Sequence, residues 1–179
     1  MLEITVPAGE YFDEMTNEFI ETKQTVLQLE HSLISLSKWE SKWKKPFIGK
    51  TPKTIEESVD YVRCMTIGRV DPSVYHGITS DMMDQINRYI DDSMTATTFS
   101  NRNPQKGAQS RITAEIIYYQ MTALGIPFEC EKWHLNRLLT LIHVCSLKQQ
   151  PAKKMSNRAL AQRNTALNEA RRQKARSRG

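Results

Sequence analysis

Glycine never clusters in this sequence. Its seven glycines stand singly at 9, 49, 68, 77, 107, 125 and 179. Neither a P-loop nor a dinucleotide fingerprint is therefore present, since both need several glycines in one turn to bring backbone amides against phosphate. Cysteine is equally thin. Cys64, Cys130 and Cys145 are odd in number, widely spaced and set in apolar helical patterns. A secreted disulfide framework looks different, and the expected compartment is a reducing one. Long hydrophobic runs are also missing. Nothing approaches the roughly 18 uncharged apolar residues of a membrane span. Met1 to Pro7 has neither the basic stretch nor the apolar stretch of a secretion signal, so the expectation is a cytoplasmic protein without membrane contact. Large hydrophobes nearly vanish from the last thirty residues, while the rest of the chain holds enough of them for a core.

What the chain does have is charge polarity. The net charge of +5 conceals an acidic front, where Glu3, Glu10, Asp13, Glu14, Glu18, Glu21 and Glu30 face only Lys23. From Lys148 onward ten Lys or Arg face only Glu169. Either end can steer association with an oppositely charged partner, although salt screening keeps such an arm from defining a specific site alone.

Hydrophobic periodicity divides the rest. Leu2 to Val6 alternates and stops at Pro7-Ala8-Gly9, and Glu18 to Glu30 carries a second alternating stretch. With turn-rich Asp13 to Asn17 between them, a small antiparallel ribbon is expected, although Gln24 to Lys38 reads equally well as the start of a helix. Leu33, Leu36, Trp39 and Trp43 then share one helical stripe that Pro46 ends. Thr54-Ile55-Glu56-Glu57 is a capping box, opening a helix expected to bury Ile55, Val59, Val62 and Met65. Asp71-Pro72-Ser73 begins a short turn, and Thr79 or Ser80 caps a helix carrying Met82 or Met83, Ile86 and Ile90 inward. The polar stretch from Asp91 to Gln109 reads as a long loop. A helix opening near Ser110 places Ile112, Ile116, Ile117, Met121 and Leu124 together and stops at Gly125 and Pro127. A second, over Glu131 to Leu147, carries Trp133, Leu135, Leu138, Leu139, Ile142 and Cys145 around more than half its circumference, and the two are expected to form an antiparallel hairpin. Ser156 can cap a last helix in which only Leu160 and Leu167 are large and apolar, seven apart on one face.

The expected fold class is mainly α (α+β): a helical bundle with a small N-terminal β ribbon and a basic C-terminal helix. The corresponding divisions are residues 1–30, 31–150 and 151–179.

Catalytic chemistry finds little support. Cys130, His134, His143 and Cys145 supply soft ligands, but on one helix the two pairs lie roughly 14 to 17 Å apart, too far for one tetrahedral ion. Cys64 and Cys145 sit among core-pattern residues and read as structural. Asp91-Asp92 has no second acidic cluster to complete a two-metal site. Trp39 and Trp43, interleaved with Lys42, Lys44 and Lys45, resemble a base-stacking platform, yet their spacing of four continues the Leu33 and Leu36 stripe and favours a core role with the lysines outside. The expectation is no enzyme, no cofactor and no metal. The candidate partner-binding residues are Leu160 and Leu167 with the tail cations Arg171, Arg172, Lys174 and Arg176. Nonspecific nucleic-acid binding through those cations is a weaker reading, since no aromatic or base-reading motif accompanies them.

Six segments carry a family resemblance: Ser35–Trp43, Asp60–Thr66, Met94–Phe99, Thr113–Tyr119, Ile126–Cys130 and Trp133–Leu139. Through them most of residues 20 to 170 resembles the tail assembly chaperones of long-tailed bacteriophages. The resemblance implies a helical protein, often in multiple copies, that binds the phage tape measure protein in the host bacterial cytoplasm. It would keep that protein's apolar helices soluble until the tube polymerises, and be absent from the mature virion. It implies no catalytic residues, and in many relatives a frameshifted longer product. Self-association is expected through the acidic front of one copy and the cationic tail of the next. The alternatives are a virion structural or connector protein, and a nucleic-acid binder.

Overall fold

The computed structural model describes residues 1–13, 17–49, 52–98, 112–149 and 157–176. Glu14 to Thr16 of the expected turn, the Phe99 to Gln109 part of the long loop, the helix openings at Ser110 and Ser156, and Arg178 lie outside the described residues. The chain is mainly α with a β portion, an α+β fold, and it divides into two compact units, Met1–Cys145 and Ser146–Gly179. Strands β1 (Leu2–Val6), β2 (Gly9–Asp13), β3 (Glu18–Thr22) and β4 (Thr25–Leu29) come first. Helices α1 (Leu33–Trp43), α2 (Ile55–Met65), α3 (Ser80–Asp91), α4 (Ala114–Leu124), α5 (Leu135–Gln149) and α6 (Asn157–Arg176) follow, with 3-10 turns over Pro72–Gly77 and Phe128–Lys132. Among the described residues no helix is long and apolar enough to cross a membrane.

The ribbon is antiparallel, as its alternation predicts, but it has four strands where two are expected. β1 pairs with β4 and β2 with β3. Pro7-Ala8 interrupts one side opposite Lys23-Gln24, yet the register continues unchanged, with Val6 facing Thr25 and Gly9 facing Thr22. What changes at the break is the buried face. Ile4, Val6, Leu27 and Leu29 enter the core, and unbroken alternation would put Phe12 and Phe19 on that same side. Instead Tyr11 and Ile20 are half-buried while Phe12 and Phe19 are exposed. The Tyr11 hydroxyl lies 2.7 Å from where a Cβ on Gly77 would sit, so glycine there lets the ribbon lie against the 3-10 turn.

The stretch Gln24 to Lys38, read alternatively as a helix start, divides: Thr25–Leu29 is strand β4 and the helix begins only at Leu33, because Ser32 caps it by accepting from the Ser35 amide. α1 joins two apolar clusters. Trp39 packs with the ribbon residues and with Tyr61, Val62 and Met65 of α2, while Leu33 and Leu36 pack with Ile117 and Met121 of α4 and Leu135, Leu138 and Ile142 of α5. The expected capping box is present: the Glu57 amide donates to Thr54 Oγ1 and the Thr54 amide to Glu57 Oε2. Lys45 beside Glu57, then the Thr54 amide, hold that carboxyl below its usual range. Thr54→Ala removes one arm of this box, and urea unfolding should show a loss of about 1 kcal/mol.

Three expectations need correction here. Ile55 is 85% exposed, because α2 turns Glu57, Asp60, Tyr61, Val62 and Met65 inward and leaves its first residue outside. The helix expected over Glu131 to Leu147 is a 3-10 turn followed by α5, with Trp133 at the bend between them. Of the lysines expected outside, Lys42 and Lys44 are exposed but Lys45 is half-buried, and Lys42 pairs with Asp60 and Lys45 with Glu57. Trp39 is fully buried and donates to the Glu57 carbonyl, and Trp43 donates to Asp60, so both indoles serve the α1–α2 contact.

Candidate functional site

Buried polar side chains meet at one cavity. A cavity of about 410 Å³ is lined by His31, Tyr61 and Lys53 together with Phe47, Ile86, Asn136 and other side chains. His31 Nδ1 and the Tyr61 hydroxyl are 2.6 Å apart, and the His31 and His134 rings lie 5.1 Å apart. Burial, and secondarily His134, push the His31 pKa down to about 3, while burial pushes the Tyr61 hydroxyl well above its ordinary value. Neither group exchanges a proton near neutrality, whereas an acid–base pair works with pKa values near the operating pH. Asn136 is also engaged, donating to the carbonyls of Ile90 and Asp92. His134 Nε2 donates to the Tyr89 carbonyl, leaving Nδ1 buried without a partner.

The tempting soft-ligand set is dispersed. Cys130 is buried in the 3-10 turn, His134 lies at the bend before α5, and His143 is exposed on α5. Among the described residues no three His, Cys, Asp or Glu are grouped to hold a metal ion.

Surfaces offer more than the interior. α4 is apolar on two sides, and among the described residues only one of them is buried. Ala114, Ile117 and Met121 face α1, while Ile116, Tyr119 and Ala123 recur at helical spacing on the opposite side. Ile112 and Ile116, expected in the core, are each 37% exposed, and Tyr119 is 72% exposed. Beyond Gly125, whose φ of 67° ends the helix in the left-handed conformation, Phe128 adds a further exposed ring. Its neighbour Tyr118 is held by a hydrogen bond from its hydroxyl to Glu131, which fixes this corner of the surface.

The residues singled out from the sequence lie on α6. Leu160 and Leu167 are one heptad apart on its axis, about 10.5 Å. Residues 161–175 are exposed throughout, Leu167, Arg171, Arg172 and Lys174 among them, and Arg176 ends the helix. At the opposite end of the sequence, Phe12 and Phe19 face each other across the ribbon with ring centroids 5.1 Å apart. Sequence reading missed this pair because no strand is expected between the stop at Pro7-Ala8-Gly9 and the turn that opens at Asp13; its signal is the placement of two phenylalanines equidistant from the reversal.

No family model, curated protein or solved structure matches this chain.

Proposed function

We propose that this protein is a non-catalytic tail assembly chaperone of a long-tailed bacteriophage that binds the apolar helices of the tape measure protein in the host cytoplasm and leaves before the virion matures. The observation that carries this reading is the exposed stripe Ile116, Tyr119 and Ala123 on α4, with exposed Ile112 just before the helix and Phe128 beyond its end. A stripe at helical spacing accepts the apolar face of an incoming helix, the mode by which groove-binding partners are held. The sequence resemblance suggests that partner, and exposed Leu167 on α6 offers a second contact of the same kind.

Co-expression with the long helical product of a neighbouring gene, followed by pull-down, tests the partner. Ile116→Asp with Tyr119→Ala removes the centre of the stripe without touching the covered side of α4. Affinity for the partner should fall roughly thirtyfold or more, corresponding to about 2 kcal/mol or more of lost apolar burial. Unchanged capture by this variant would reject the stripe as the binding surface.

The exposed cations of α6 favour one second reading, nonspecific nucleic-acid binding. It requires a gel shift at low salt that weakens with a slope near the number of tail cations. A connector role instead requires stoichiometric recovery from purified virions.

A further inference from the structure

The outer face of the β2–β3 ribbon combines two features that are unfavourable in isolation. Glu10 and Glu21 are register partners, so two exposed carboxylates stand directly across from one another, an arrangement that destabilises an antiparallel pair. Two residues further out, Phe12 and Phe19 form an aromatic pair on the same face, 49% and 67% exposed. The other face is already engaged, since Tyr11 rests against Gly77. A surface of paired acids beside paired aromatics calls for a ligand with cations next to aliphatic side chains, because carboxylates take the cations and the rings accept both alkyl groups and guanidinium.

α6 has that composition. Over Asn157–Arg176 it carries Arg158, Arg163, Arg171, Arg172, Lys174 and Arg176 against Glu169, with Leu160 and Leu167 as its large apolar residues. Leu167 and Arg171 are one turn apart, which places an aliphatic and a cationic group side by side. Residues 161–175 of this helix are exposed throughout, whereas most helices depend on the burial of one face.

We propose that the outer face of the β2–β3 ribbon, centred on Glu10, Phe12, Phe19 and Glu21, is a docking surface for α6 of a second copy of this chain. Such a contact is heterologous, joining one surface to a different one, so each copy can both give and receive and assembly continues into a ring or filament. The contact is independent of the α4 stripe and does not rest on the chaperone reading.

Sedimentation of the full chain at about 50 mM and about 500 mM salt tests it. The low-salt mass should exceed a dimer and fall toward the monomer at high salt. Phe12→Ser with Phe19→Ser disables the receiving face, and Leu167→Asp with Arg171→Glu disables the helix; each should weaken association at least about tenfold. Mixing the two variants leaves one intact contact, so a heterodimer that grows no further is expected, which also shows that both variants are folded. A monomeric wild type at low salt overturns the proposal. So does a ribbon variant that still associates, as it would if α6 paired with itself, or a mixture that stays monomeric.

Discussion

Glu40→Ala should destabilise the protein by about 2–4 kcal/mol, far more than an exposed glutamate on a helix would. Glu40 is only 7% exposed on α1, and both of its carboxyl oxygens accept from backbone amides: Phe47 N at 2.7 Å and Ala114 N at 2.8 Å. One side chain thus secures the segment after α1 and the first turn of α4. It also explains why α4 has no cap from its own Thr113, whose side chain makes no capping bond. Alanine leaves two amides unpaired in a low-polarity setting, each costing about 1–3 kcal/mol. Glutamine keeps one acceptor but turns an NH2 group toward a donor, so Glu40→Gln should fall between. Urea unfolding of the three proteins measures the order. An alanine variant within about 1 kcal/mol of wild type would show that water replaces the carboxyl group.

Acid should act through His31 before it acts through the carboxylates. Buried beside Tyr61 and His134, His31 takes up a proton only near pH 3 in the folded chain, whereas an unfolded histidine does so near 6.5. Between those values the unfolded state binds more protons, so unfolding free energy rises with pH. Stability is fully present above about 6.5 and declines as pH falls, by up to about 1.4 kcal/mol per pH unit. Between pH 6.5 and 5 this amounts to about 2 kcal/mol, in a window above the titration of the lowered carboxyls Glu57 and Asp71. We assign the tautomer in which the Tyr61 hydroxyl donates to Nδ1, and protonation would remove that acceptor. Urea midpoints at pH 7 and pH 5 should differ accordingly. In His31→Gln the difference should shrink by the contribution of one proton, and an unchanged slope would move the acid sensitivity to another group.

Local signals in the sequence were strong wherever a residue acted on its own neighbourhood. The Thr54–Glu57 box, the Thr79 cap and the Gly125 stop all operate within four residues, and all three stand where their spacing places them. Periodicity was sound for α1 because its stripe meets apolar partners along its length, with Leu33, Leu36 and Trp39 all buried. It misled at Ile55, Ile112 and Ile116, since a period gives the phase of a helix but not which of two apolar sides has something to pack on. The ribbon shows the same limit. Alternation marks strands, but the face reversal at Pro7-Ala8 is decided by what lies beneath, the core under β1 and the Pro72–Gly77 turn under β2.

By itself the sequence determined the mainly helical class, the caps of α2 and α3, the stop of α4 and the concentration of positive charge in the last thirty residues, because propensity, capping and net charge are properties of short stretches. Only the tertiary structure decided that Glu40 holds the first turn of α4 across 74 residues, that His31 meets Tyr61 and His134, and that α4 and the ribbon tip keep apolar groups in solvent. Those outcomes depend on which distant surfaces come into contact, and contact between distant surfaces leaves no periodic trace in the chain.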